Sequence, residues 1–303
     1  MAENPNRARG RGDMETKRAK CAAAMRAARE EEDHGDMAID AAGDVNASLP
    51  RGVMFAAYAV STREYALSCA DGSPIHALRL GLEPGRAVIL CHGFGGNKNI
   101  RDFVALAQDL SLRYCVYTFD FRGHGLSPGR STFGYRETLD LDAVVRLARQ
   151  EGNRRVAVVG FSMGGVVAMR YAALHGGLDA VVAVSVPADI ATARAPGARL
   201  IRALMGNPLG RALAARRYGV RVSGEWKRQA APADLVGLIS PQPFTIIQGE
   251  DDFIFEVEQA RELAHRAGDG CRLKTFPDFG HAEQGYGPHL VEYLLEVLGE
   301  DLD

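Results

Sequence analysis

Two short stretches, Glu64 to Cys69 and Ile75 to Leu80, flank Asp71-Gly72-Ser73 and predict the strands of a hairpin. Beyond them the pattern changes. Ala87-Val88-Ile89-Leu90 is an unbroken apolar run, as expected of a strand covered on both faces, and Phe103, Leu106, Ala107 and Leu110 follow at helical spacing. The same order recurs with a strand at Val116 to Phe119, then a helix carrying Leu141, Val144, Val145 and Ala148 on one face. Next come Val156 to Val159 and a helix starting directly at Met163, then the strands Ala180 to Val186 and Phe244 to Gln248. A helix over 256–267 stopped by Gly268, a strand at Leu273 to Phe276, and a last helix with Leu290, Leu294 and Leu298 complete the series. Strands alternating with helices predict an α/β fold whose mainly parallel sheet is covered on both sides, with catalytic loops at the C-terminal strand ends.

One interval interrupts the alternation. Residues 188–240 hold short helix-like pieces, no convincing strand, and Pro196, Pro208 and Pro232 as breakers, which predicts an inserted helical cap or lid. The core is then 49–187 and 241–303. Residues 1–48 are polar and alanine-rich, with an acidic run at Glu30 to Asp33, and are expected to form a disordered extension.

A formal net charge of −2 carries no global signature of nucleic-acid binding. The five cysteines form no C-x-x-C pair, which argues against a disulfide framework or a zinc site. No signal-peptide-like start and no apolar run of membrane-spanning length occurs, so a cytoplasmic protein without a transmembrane segment is expected.

The sharpest chemical feature is Gly160-Phe161-Ser162-Met163-Gly164, set between an apolar strand and an apolar helix. At such an elbow the serine sits on a strained backbone and its hydroxyl is thrust outward, while the glycines remove side chains that would clash with strand and helix. The Met163 N–H lies at a helix start, where unpaired donors favour negative charge. A serine nucleophile needs a base, and the base needs an orienting acid. Asp252 follows the strand Phe244 to Gln248, and His281 follows the strand Leu273 to Phe276, in the chain order Ser, Asp, His. Asp251 and Glu250 are rival acids. Cys91-His92-Gly93-Phe94-Gly95-Gly96 is expected to supply the second oxyanion donor, the Phe94 N–H, with His92 bracing the loop. The turn Asp120 to Ser127 is expected to be scaffold, pinned by an Asp120–Arg122 or Asp120–backbone interaction.

Together these motifs, with Gly249 to Asp252 and Gly280-His281, resemble the α/β-hydrolase superfamily, in its esterase, lysophospholipase and serine-aminopeptidase-like branch. The resemblance covers about residues 62–298. It implies an eight-stranded, mostly parallel sheet flanked by helices, a Ser-Asp-His triad, an acyl-enzyme intermediate and no metal or organic cofactor. Relatives that open epoxides or remove halides carry Asp at the nucleophile position, so Ser162 argues against those activities but does not separate esters, thioesters and amides. Phe255 departs from the proline of many relatives.

The segment 188–240 carries nine Lys/Arg against Asp189, Glu225 and Asp234. A local excess of this kind suits an anionic acyl donor, and it equally suits a solvated face. Trp226, Met205, Leu204 and Tyr218 are candidates for the acyl pocket. The leading expectation is hydrolysis of a small-molecule carboxylic ester, with thioesterase, lysophospholipase or aminopeptidase activity as alternatives. A noncatalytic ligand-binding protein on the same fold is the alternative of another class.

Overall fold

The computed structural model describes residues 55–225 and 230–302. The expected extension 1–48 and Trp226 lie outside the described residues. β1 (Arg63–Ser68) and β2 (Pro74–Gly81) form the hairpin, with Gly72 supplying the positive φ of 78° at its turn. β3 (Arg86–Cys91), β4 (Cys115–Phe119), β5 (Arg155–Phe161), β6 (Ala180–Val184), β7 (Phe244–Gly249) and β8 (Cys271–Phe276) follow. They build an eight-stranded sheet in the order β1-β2-β4-β3-β5-β6-β7-β8, antiparallel across β1, β2 and β4 and parallel from β4 onward.

Burial follows position in the sheet. The central strands β4, β5 and β6 are buried nearly throughout, as continuous apolar runs require, whereas the edge strand β1 alternates exposed and half-buried positions. Side-chain alternation divides β5 between two layers. Ala157, Val159 and Phe161 join the core formed with Phe103, Leu106 and Leu110 of α1 (Arg101–Ser111) and Leu290, Leu294 and Leu298 of α8 (Pro288–Leu302). The opposite face is covered by α2 (Glu137–Gln150) and α3 (Met163–Leu174). α3 is buried on nearly every side, which explains why its sequence is apolar all round rather than striped.

Between β6 and β7 the chain forms α4 (Pro196–Gly206), α5 (Pro208–Tyr218) and the short α6 (Pro232–Leu235), and α7 (Val257–Ala267) follows β7. Pro196, Pro208 and Pro232 therefore open helices rather than break them. A proline in the first turn loses no intrahelical hydrogen bond and has its φ preset. Asn207 caps α5 by accepting from the Gly210 N–H at 2.7 Å. The chain after α5 is stitched to the core: Arg221 N–H donates to Gly123 O, and Ser223 N–H to Ser131 O.

Candidate active site

Every side chain of the site stands just past the C-terminal end of a parallel strand. Ser162 follows β5 with φ 51° and ψ −115°, a left-handed backbone that a serine adopts only under constraint, at a cost of about 1–3 kcal/mol. Glycines make the constraint possible. A Cβ on Gly160 would stand 2.3 Å from Gly164 O, and one on Gly164 would stand 2.3 Å from Cys91 O. On Gly165 it would lie 2.4 Å from Val186 Cγ1. Backbone contact of this kind presses the start of α3 onto the ends of β3 and β5.

Ser162 Oγ lies 2.9 Å from His281 Nε2, and His281 Nδ1 lies 2.9 and 3.0 Å from the two oxygens of Asp252. The three residues are buried, at 6, 9 and 7% exposure for Ser162, His281 and Asp252 respectively. Burial pushes the Asp252 carboxyl up, but hydrogen bonds from His281 and from the Ile254 and Phe255 N–H groups outweigh it and hold the carboxyl below its ordinary 3.8. An ionised carboxylate only accepts, so Nδ1 carries the imidazole proton and Nε2 is left to accept from the Ser162 hydroxyl. Asp251 and Glu250 are exposed at the same loop and take no part in this chain of bonds.

The loop after β3 approaches the same point. A Cβ on Gly93 would stand 3.4 Å from Ser162 Cβ, so the loop that carries Phe94 passes beside the serine. Met163 opens α3, whose first-turn N–H groups have no intrahelical partner. His92 is fully buried: its Nε2 accepts from the Phe121 N–H at 3.1 Å and its Nδ1–H donates to Gly93 O at 2.8 Å. Burial lowers its pKa to about 3, which keeps the ring a neutral brace. His124 acts similarly, accepting from the Gly95 N–H at 3.3 Å.

Of the two contacts expected of this turn, Asp120–Arg122 is not formed and Asp120–backbone is. Asp120 instead accepts from Lys98 Nζ at 2.5 Å and from the N–H groups of Lys98 and Leu126, and Arg122 pairs with Asp71 and Asp140. Geometry is the reason. Arg122 points away from the strand end toward α2, and Asp120 turns into the loop where two backbone donors converge. Tyr218 lies with its ring carbons 3.7 and 3.8 Å from a Cβ position on Gly95, beside the loop after β3. Met205 is buried within the α4–α5 hairpin, and the Leu204 carbonyl lies against Gly210 in the same hairpin.

Two residues escaped the sequence reading. Gln248 is buried at the end of β7, and its Nε2 donates to Asp252 Oδ2 at 3.0 Å and to Phe255 O at 3.0 Å, fixing the acid loop. A polar residue closing an apolar strand was the available signal. Glu283 carries an Oε2 without solvent access or a hydrogen-bond partner among the described residues, 3.5 Å from the Gly93 Cβ position. Burial pushes its carboxyl up. Nothing in its sequence context distinguishes it from a surface glutamate.

Comparison with known proteins agrees with this architecture. A model described as "Alpha/beta hydrolase family" matches residues 88–297, and the chain belongs to that family. It is similar to a pimeloyl-[acyl-carrier protein] methyl ester esterase of Chromobacterium violaceum, 36% identical over 94 residues that cover 31% of this chain and 34% of the relative. A probable alcohol acetyltransferase of Cyberlindnera fabianii is 34% identical over 91 residues, 30% of this chain and 24% of that protein. The matches thus span about a third and a quarter of the curated relatives' lengths. Among solved structures, a Pyrococcus furiosus esterase superposes with a TM-score of 0.68 at 23% identity, covering 84% of this chain and 100% of that one. A bacterial membrane phospholipase A gives 0.61 at 19% identity, with 79 and 86% covered.

Proposed function

We propose that this protein is a serine esterase in which Ser162 is the nucleophile, His281 the general base and acid, and Asp252 the group that orients His281. The observation that carries the reading is the continuous chain of hydrogen bonds from an ionised, enclosed Asp252 through His281 to Ser162 Oγ. As Ser162 Oγ attacks the ester carbonyl carbon, its proton passes to His281 Nε2, and the Phe94 and Met163 N–H groups donate to the oxyanion. Collapse of the tetrahedral intermediate breaks the C–O bond, the proton moves from His281 to the leaving alkoxide, and an acyl-Ser162 ester remains. Water then repeats the sequence, with His281 taking its proton, and releases the acid and Ser162.

In this reading α4 to α6 form a cap over 188–240, and Tyr218, Leu204, Met205 and Trp226 are assigned to the acyl side. The basic cap favours a second reading, a thioesterase or lysophospholipase taking an anionic acyl donor. An aminopeptidase needs an ionised acid near Ser162 to hold a substrate ammonium. Glu283 is the acid at that place, and burial works against its ionised form. A cytoplasmic setting fits the thiols Cys69, Cys91, Cys115 and Cys271, which are all unpaired. No helix among the described residues is long and apolar enough to cross a membrane.

Wild type and Ser162→Ala are to be assayed on p-nitrophenyl esters of increasing acyl length, with acyl-coenzyme A and an aminoacyl anilide in parallel. Ester turnover that falls on the order of 10⁴–10⁶-fold in the variant is expected. Preference for the thioester or anilide would move the assignment within the family, and an active Ser162→Ala protein would remove the nucleophile from it.

A further inference from the structure

The outward side of the α4–α5 hairpin has an unusual surface. On α4 the exposed positions Arg199, Leu200 and Ala203 fall on one helical face, and on α5 Leu209, Leu213, Arg216 and Arg217 do the same. Ala198, Met205, Gly210 and Ala214 take the inward faces. Leu209 is 83% exposed, Leu200 57% and Leu213 56%. A single exposed leucine needs no explanation, but three on adjoining helices form a patch.

Charge on this segment is one-signed. From Ile190 to Gly224 there are seven arginines and no Asp or Glu, in a chain that holds 38 acidic against 36 basic residues overall. Three of the seven are tied into the fold, since Arg202, Arg211 and Arg221 donate to backbone carbonyls. Of the other four, Arg194 precedes α4, and Arg199, Arg216 and Arg217 are exposed on the outer face with the leucines, the Arg217 guanidinium standing 5.2 Å from the Tyr218 ring centroid. The apolar surface also continues to the mouth of the site. Phe253 is 54% exposed, its ring centroid lies 6.4 Å from that of His281, and its carbonyl accepts from the Gly197 N–H in the first turn of α4.

We propose that the outer face of α4 and α5 docks on an anionic phospholipid bilayer, with the leucines in the acyl boundary and the arginines at the phosphates. Arginines alone suit any anionic partner. Exposed leucines beside arginines, on a surface without acids, suit a lipid interface better than an aqueous anion, since the apolar chains gain by entering the acyl boundary where the guanidinium groups meet phosphates. Docking in this way sets the Ser162 mouth beside the bilayer, so an amphiphilic acyl donor reaches it without crossing bulk water. Docking of this kind is a property beyond ester hydrolysis and is read by binding.

The full chain is to be co-sedimented with phosphatidylcholine vesicles and with vesicles containing about 30 mol% phosphatidylglycerol. Binding to the anionic vesicles that weakens with salt, and much weaker binding to neutral ones, is expected. Arg199→Gln/Arg216→Gln is expected to lose on the order of 30-fold in affinity for the anionic vesicles, and Leu209→Ser/Leu213→Ser at least about tenfold. Both variants keep the thermal transition of the wild type and its turnover of a water-soluble ester, since neither touches the triad or the acyl side. Wild-type protein that ignores the vesicles overturns the proposal, as does binding that survives both substitutions. So does an acidic protein held by the same arginines while vesicles are not bound.

Discussion

Asp252 is where a single ionisation bears on both folding and chemistry. Its side chain is wholly enclosed and accepts from His281, Gln248 and the Ile254 and Phe255 N–H groups. Because these bonds hold the carboxyl below its unfolded value, the stability it lends is present above the ordinary carboxylate range and is lost as pH falls through the folded value. Asp252→Asn removes that contribution. The stability gap between wild type and variant, measured by denaturant unfolding, is expected to be wide at about pH 7 and to close toward about pH 3. Turnover should fall about 10⁴-fold, since an amide no longer fixes the proton on His281 Nδ1. A gap that ignores pH would mean that the enclosed group is not an ionised acceptor. The placement of Ser162, Asp252 and His281 past strand ends was legible in the sequence, from the mainly apolar runs Val156 to Val159 and Phe244 to Ile247 and from the strand read at Leu273 to Phe276. Gln248 and Glu283 were not, because what matters about them is which backbone the fold brings up against them.

The elbow depends on α3 and β3 meeting at van der Waals limits, and Gly164 is the contact. An added methyl would stand 2.3 Å from Cys91 O and 2.7 Å from His92 O, both backbone atoms that cannot swing aside. Gly164→Ala is therefore expected to destabilise the chain by about 1–3 kcal/mol. It should also depress kcat, because withdrawal of α3 carries the Met163 N–H away from the Phe94 loop. Thermal unfolding and a kcat measurement with KM held separate check the two effects. Unchanged behaviour in both would show that the helix start has slack the geometry denies. The strand and helix runs were legible because burial on two faces leaves no alternation to misread. Neighbour relations were not: an apolar run shows that β4 is a buried strand, yet its place between β2 and β3 is set by crossovers the local pattern does not encode. The three prolines of 188–240 marked boundaries of short helices without showing on which side each helix lies, since a proline stops a helix that precedes it and starts one that follows.

Arg122 ties distant parts of the chain together. Its guanidinium reaches Asp71 in the β1–β2 turn at 2.6 Å and Asp140 on α2 at 2.7 Å, and its own N–H donates to Asp140 at 2.9 Å. The loop it anchors also holds Phe121 and His124, which contact His92 and Gly95 of the loop after β3, so a loss at Arg122 is transmitted to the site. Burial raises the Asp140 carboxyl to about 6, with Arg122 working against that rise. A carboxyl whose folded pKa exceeds its unfolded value stabilises the fold at low pH, and that contribution is lost as pH climbs through the folded value. Arg122→Leu removes the opposing charge, so ionising Asp140 becomes still harder and the penalty extends to higher pH. Leaving that carboxyl buried and unpaired is expected to cost about 3–5 kcal/mol. The cost should be greater at about pH 8, where Asp140 must ionise or hold its proton against the solvent, than at about pH 5, where it stays protonated. Adding Asp140→Leu to the variant takes away the stranded charge and should restore part of the loss and flatten its pH dependence. An equal deficit at both pH values, unmoved by the second substitution, would mean that Arg122 acts through packing of its stem rather than through the charge it supplies.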